Sequence, residues 1–318
     1  MAPRIRPFRE TDAPELVRWL GELAPAEDVY AAASLVHLRR SLPRRRRPRW
    51  LVALLDGEPV GLGQDGPQVF GERPGLRRTW VAVRPDARRR GIGGALWDRI
   101  EAHATEVGAT VLQSWSAADW PGGQSFAEAR GFVPDRRLLQ FAIDPSTLEV
   151  RELERRTAEA SRLGVRVTSL AELPVTMGPV LRRLFLDAGE GAPGHDPGPV
   201  VAASTFDRVI MDNPLLDREL STVVFDGDRP VALCWLKGDR HLDRYAIEFT
   251  GTLPGWRGRG LASLAKLAAL DRARRAGVHR VGTANDEDNG PMLAINRRLG
   301  HRQLAGLIMY TRRQPSQA

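Results

Sequence analysis

The chain has 318 residues, a formal net charge of +8, 42% apolar residues and a single cysteine. A lone cysteine excludes an intramolecular disulfide and a thiol-rich metal site, the six histidines show no ligand spacing, and no metal is expected. No apolar run approaches the roughly eighteen residues of a membrane span, and the opening MAPRIRPFRE has no apolar stretch for a secretory signal, so the expected address is the cytoplasm with no membrane partner.

Arg4–Pro7 reads as a short strand, and Asp12–Leu23 as a helix capped near Thr11 or Asp12. A second helix is expected over Tyr30–Leu42, then a hairpin over Trp50–Leu62 turning at Asp56-Gly57, and a strand over Leu76–Val83. In the helix expected over Ile92–Val107, apolar Ile92, Leu96 and Ile100 recur every four residues; a strand over Thr110–Trp115 follows. Asp144-Pro145 opens a junction, and the charged stretch Leu148–Leu163 reads as a helix that crosses it. The pattern then restarts with a strand at Val165–Ser169, a helix at Leu173–Leu186, a second Asp-Gly turn at Asp226-Gly227 and an apolar extended run at Ile247–Leu253. Ala188–Pro199 (AGEGAPGHDPGP) is too rich in Gly and Pro for regular structure; a loop of this kind is a lid or a mobile insertion. Cys234, in the strand Val231–Leu236, reads as a buried packing thiol.

The densest charge is Arg39-Arg40, Arg44–Arg47 and Arg49. No helix-turn-helix, zinc finger or interleaved aromatic pattern accompanies it, so it reads as a solvated surface, with guidance of phosphates or of an acidic acceptor as the alternative; nucleic acid is not expected as a partner.

The restart is a repeat. Val83–Gly94 (VRPDARRRGIGG) and Thr252–Ser263 (TLPGWRGRGLAS) share the pattern Pro-x-x-Arg-x-x-Gly-x-(Gly/Ala), and one offset of 169 residues carries Pro85 onto Pro254, Arg88 onto Arg257 and Gly91 onto Gly260. The same offset carries Gly108 onto Gly277 and Gly131 onto Gly300. The chain is therefore expected to hold two copies of one domain, at 1–145 and 165–318, joined by a linker helix at 146–164.

In each copy a strand runs through an Arg/Gly-rich turn into a helix. Backbone N–H groups converge there, and the helix dipole and arginines add positive potential, so the turn suits a pyrophosphate. The first site is expected from Val83, Arg88, Arg89, Arg90, Gly91, Ile92, Gly93 and Gly94. The second is expected from Thr252, Leu253, Arg257, Gly258, Arg259, Gly260, Leu261, Ala262 and Ser263. With neither a Gly-Lys-(Ser/Thr) ending nor the Rossmann glycine spacing, ATP and NAD are not the expected ligands.

The spacing (Arg/Gln)-x-x-Gly-x-(Gly/Ala) after a strand resembles the coenzyme A loop of the GNAT acetyltransferase superfamily. Both copies also carry the upstream Asp-Gly hairpin and a downstream helix, Ser125–Phe132 (SFAEARGF) and Pro291–His301 (PMLAINRRLGH), similar to the last helix of that superfamily. With Thr283–Met292 (TANDEDNGPM), the second copy looks like tandem GNAT proteins of actinobacterial type. The resemblance implies an α/β (α+β) class of two tandem GNAT folds, each a mixed, mostly antiparallel sheet flanked by helices, with acetyl-CoA as co-substrate.

A lysine-like amine, with a pKa of about 10.4, must lose a proton before it attacks a thioester. Glu248 lies six residues before Pro254 in the strand that the resemblance sets beside the pantetheine arm, and its counterpart Thr79 cannot act as a base. The C-terminal copy is therefore expected to be catalytic through Glu248; holding the acceptor ammonium, or pairing with Arg244, are the other readings of this residue. Asp286, Glu287 and Asp288 are either acceptor contacts or an acidic turn. Where many GNAT enzymes carry a tyrosine that protonates the leaving thiolate, this chain has Ala127 and Asn296. Asn285 and Asn296 are expected to bond the pantetheine amides or the acceptor, or to serve as helix caps. The expected function is transfer of acetyl from acetyl-CoA to a primary amine of a small molecule by direct attack, the oxyanion meeting a backbone N–H around Thr250–Leu253. A protein N-acetyltransferase and a non-catalytic acyl-CoA sensor are the alternatives.

Overall fold

The computed structural model describes residues 3–23, 31–68, 73–193 and 203–314. In the first half the strands are β1 (Arg4–Pro7), β2 (Arg49–Leu55), β3 (Glu58–Pro67), β4 (Leu76–Val83), β5 (Val111–Ala117) and β6 (Val133–Ile143). The second half repeats them as β7 (Val165–Ser169), β8 (Leu216–Asp226), β9 (Arg229–Asp239), β10 (Arg244–Thr252), β11 (Val281–Asp286) and β12 (Arg302–Arg313). Asp56 and Gly57 both take positive φ, which closes the β2–β3 hairpin in the tight form that matches strand twist.

All twelve strands form one sheet, in the order β1-β2-β3-β4-β5-β12-β6-β11-β10-β9-β8-β7. Neighbours run antiparallel except β4 with β5 and β10 with β11. The terminal strands are exchanged. β12, the end of the second copy, pairs with β5 of the first, and β6, the end of the first, pairs with β11 of the second. The sequence-based division at 145 and 165 thus separates two repeats, while in space each repeat borrows its last strand from the other. Neither β6 nor β12 was expected from the sequence. β6 opens on Val133-Pro134-Asp135-Arg136-Arg137, a polar stretch that hides its period-two pattern.

Helices α1 (Ala13–Leu23) and α2 (Ala32–Ser41) cover one part of the first half, and α3 (Ile92–Glu106) with α4 (Pro121–Glu128) another. Close approach of α3 depends on two glycines of β3. A Cβ at Gly61 would stand 2.9 Å from Leu96 Cδ1, and one at Gly63 3.2 Å from Ile100 Cγ1. In the second half α6 (Gly178–Gly189) and α7 (Ala203–Phe206) pack an aromatic cluster in which Phe185 stacks on buried Trp235 with ring centroids 5.4 Å apart. α8 (Leu261–Arg275) buries Leu261, Leu264, Leu267 and Leu270, and α9 (Gly290–Arg298) follows β11. The helix expected from Leu173 begins only at Gly178, because Pro174 and Pro179 confine the preceding stretch to short 3-10 turns. The linker helix is α5 (Val150–Arg162), packed on α8. Of the expected loop Ala188–Pro199, α6 takes the first two residues, and 194–199 lie outside the described residues, as does Tyr30.

A buried charge network ties β3, β4 and α3. Asp65, fully buried, accepts from Arg77 Nε at 2.9 Å and Nη2 at 2.6 Å, and lies 2.6 Å from His103 Nδ1. Arg77 also donates to the carbonyls of Arg46 and Arg47, so this network anchors the arginine-rich turn. Removing Asp65 would leave a guanidinium without its buried counter-charge; Asp65→Ala is expected to lower stability by about 3–5 kcal/mol, measured by urea denaturation.

Candidate active site

Each parallel ladder is short. β4 and β5 pair only at Leu76 with Val111, Arg77 with Leu112 and Arg78 with Gln113, and β10 and β11 only at Tyr245 with Val281, Ala246 with Gly282 and Ile247 with Thr283. Beyond these pairs the strands part, and each fork opens toward the glycine turn that ends β4 or β10.

The two turns have one conformation. Pro85–Ala87 and Pro254–Trp256 form 3-10 turns, Gly91 and Gly260 follow at φ 79° and 77°, and α3 and α8 start with no side-chain cap. The first-turn N–H groups of both helices are thus available to an anion, with the positive dipole end behind them. The sequence pattern hid one difference. Arg89 holds φ 61° where the second turn has Gly258 at 78°, so the first turn carries left-handed strain that the second avoids.

The arginines divide by role. Arg88 Nε donates to the Val83 carbonyl at 3.1 Å with its guanidinium 4.5 Å over the Trp120 ring, and Arg257 Nε donates to the Thr252 carbonyl at 3.3 Å. Arg257 also donates to the carbonyls of Ala188 and Glu190, at 3.3 and 2.6 Å. These two side chains brace their turns against the protein, whereas Arg89, Arg90 and Arg259 are exposed. Arg259 lies over the Trp256 ring at 4.5 Å.

In the first half the fork opens into a cavity of about 940 Å³, within the range of small-molecule sites. Val83, Arg88, Arg89, Gly91, Ile92, Gly93 and Gly94 all line it. Its walls include Trp80 and Trp115, stacked at 6.0 Å across the fork, and Leu304 and Leu307 of the exchanged β12. A Cβ at Gly93 would come within 3.2 Å of Phe126, so the glycine keeps the turn open. Sequence reasoning missed the β12 contribution, because the exchange that brings those residues 220 positions from Arg84 to this cleft leaves no local signal.

The second fork is built differently. Glu248 occupies a register shift in β10, is exposed, and pairs with Lys237 Nζ at 2.7 Å rather than with Arg244, which donates to the Gly21 carbonyl. Glu248 lines a cavity of about 270 Å³ shared with α2 of the first half and with 209–216. Asn285 and Asn296 bond each other at 2.7 Å, and the Asn296 carbonyl accepts from Lys266 Nζ. The sequence reading placed neither asparagine with a lysine. Asp286 is buried with Arg136 of the exchanged β6 at 3.5 Å, while Glu287 and Asp288 are exposed. The Cys234 thiol is buried, pushed up to about 11 by desolvation, and accepts from Thr250 Oγ1 at 3.4 Å.

A fork, an uncapped glycine turn and a helix, present twice, define an acyl-coenzyme A transferase class of site. Residues 14–132 and 195–301 match the Acetyltransferase (GNAT) family, and the chain belongs to that family as a tandem acetyltransferase. The family uses acetyl-CoA. The chain is 29% identical over 321 residues to a mycothiol acetyltransferase of Clavibacter michiganensis subsp. michiganensis, covering 96% of this chain and 95% of that one. It is 25% identical to a mycothiol acetyltransferase of Actinosynnema mirum, covering 94% and 95%. Among solved structures, a tandem GNAT protein from the clavulanic acid biosynthesis pathway superposes with a TM-score of 0.73 at 20% identity, covering 99% of this chain and all of that one. A GCN5-related N-acetyltransferase from Sphaerobacter thermophilus gives 0.68 at 18%, covering 98% and 95%. Both share the fold. Among the described residues no helix is long and apolar enough to cross a membrane.

The turn conformation itself can be tested. Nothing lies within 4 Å of a Cβ placed on Gly91, so Gly91→Ala isolates the backbone cost of φ 79°. It is expected to lower stability by about 1–2 kcal/mol in chemical denaturation.

Proposed function

We propose that the protein transfers an acetyl group from acetyl-CoA to the primary amine of a small molecule, by direct attack at the second fork. The observation that carries this reading is Glu248. It is the carboxylate at the register shift where β10 leaves β11, it faces a cavity, and its counterpart Thr79 at the first fork is a buried hydroxyl that donates to the Gln113 carbonyl. Glu248 takes the proton from the attacking nitrogen, and the acceptor occupies the cavity over it. The mycothiol named in the relatives supports a small-molecule amine over a protein acceptor. No side-chain nucleophile stands at this fork, since Cys234 is buried and protonated, which favours direct attack over an acetyl-enzyme.

The first fork, with its larger cavity and no base, supports a second acyl-CoA site that binds without turnover. The two turns hold the pyrophosphate through backbone N–H groups, Arg89–Gly94 in the first and Gly258–Ser263 in the second, with Arg90 and Arg259 as surface charge. The address in this reading is the cytoplasm.

Release of free thiol from acetyl-CoA across a panel of amines, including amines of the mycothiol kind, tests the activity. Glu248→Gln is expected to lower kcat/KM by about 10²–10³-fold at neutral pH, as expected for loss of a positioned base. The deficit narrows as pH rises and more acceptor amine is neutral. Wild-type rates in Glu248→Gln together with inactivity of Gly93→Leu, which fills the first cleft against Phe126, would move the reaction to the first half.

A further inference from the structure

Four positions that wall the cavity in the first half carry polar side chains in the second. The repeat offset sets Lys266 on Trp97, Asn285 on Ser116, Asn296 on Ala127 and His301 on Phe132, and all four first-half residues line the first cavity. In the second half they converge. Lys266 and Asn296 are fully buried; Lys266 Nζ donates to Asn296 Oδ1, and Asn296 Nδ2 donates to Asn285 Oδ1 at 2.7 Å. Asn285 lies two residues past Thr283, the last residue of β11 paired with β10, so this chain of hydrogen bonds ends at the fork where Glu248 sits.

A buried ammonium is expensive, and among the described residues no carboxylate pairs with Lys266. The groups packed around it add no charge that would offset it. Cys234 of β9 is a neutral thiol, and His301 at the start of β12 is kept neutral by burial, its ring pushed down to about 3 with neither nitrogen hydrogen-bonded. Trp97 shows that the fold needs no cation here. The remaining source of a compensating negative charge is a ligand in the cleft, and the one charge that a thioester transfer creates at a fork is on the departing sulfur.

We propose that Lys266 is a positioning residue for the leaving thiolate of the second half: it fixes and polarises Asn296 so that the carboxamide Nδ2–H turns from Asn285 to the sulfur of coenzyme A. This rests on the reading that the second fork carries the transfer. The acceptor nitrogen forms the new bond to the acyl carbon and loses its proton to Glu248. Collapse of the adduct then breaks the carbon–sulfur bond, leaving its electron pair on sulfur. The thiolate receives the Asn296 N–H, with the Lys266 charge behind the carboxamide, and takes its proton from solvent on release. A thiol whose ordinary pKa is about 8.5 needs stabilisation at neutral pH but no strong acid, which suits a carboxamide in place of a phenol.

The test reads bound coenzyme A without any acceptor. Thiolate ultraviolet absorbance is titrated on the complex of coenzyme A with the wild type, Lys266→Met and Asn296→Ala, and desulfo-coenzyme A serves as the blank. The expected result is a thiolate fraction at pH 7 about tenfold higher in the wild type than in either variant. Curves that coincide would overturn the proposal, including the case in which the second turn binds no coenzyme A. Melting temperature checks folding, and Asn296→Ala keeps the question open to measurement should Lys266→Met fold poorly. In turnover, Lys266→Met is expected to lower kcat about tenfold with KM for acetyl-CoA within twofold. It should also abolish the alkaline fall in rate that begins near pH 8, where burial sets the loss of the Lys266 proton. A purely structural lysine would shift melting and leave the thiol titration untouched. A wrong assignment of Glu248 would appear in the amine panel, and not in this titration.

Discussion

At each fork, three residue pairs of parallel ladder hold two strands together, and past them the backbone N–H and C=O groups on the facing edges lose their partners. Buried backbone groups must be paired with something, so a forked sheet is stable only if the opening is wet, filled by side chains, or occupied by a molecule that carries amides of its own. The glycine turn at the mouth of each fork exists in the same frame. A strand that leaves its neighbour has nowhere to continue, and it folds back through a 3-10 turn into the helix that covers the opening. Turn, helix dipole and cleft are thus consequences of one separation of strands.

The two halves answer that constraint in opposite ways. The first fills its opening with aromatic walls and space, the stacked Trp80 and Trp115 standing where the ladder would have continued. The second draws Lys266, Asn285 and Asn296 into a hydrogen-bonded chain. Because the sheet is continuous, these differences lie on a common scaffold, and divergence at four wall positions separates an apolar cleft from a polar one without disturbing the turn.

Much of this was legible in the chain. The offset between Pro85 and Pro254 exposed the repeat, and the turns, the helices from Ile92 and Leu261, and the hairpin at Asp56-Gly57 followed from local chemistry. What escaped was non-local. The exchange of β6 and β12 depends on which of two similar edges each strand meets, and no window of sequence encodes that choice. The Asp65–Arg77–His103 network was invisible because its members are 12 and 26 residues apart on three elements. Glu248 was found, but its partner Lys237 was not, since pairing across β9 and β10 follows from register and not from spacing. Lys266 could have been noticed by laying the copies side by side, where a lysine faces Trp97.

The exchanged strands also impose an order of events during synthesis. The first half leaves the ribosome with β5 and β6 each lacking the neighbour that β12 will provide, and β12 spans Arg302–Arg313 near the very end of the chain. Until those residues emerge, the nascent first repeat presents two unfinished sheet edges of the kind that invite wrong pairing. The larger of the two clefts, although encoded first, is therefore completed last, when Leu304 and Leu307 arrive to close its wall.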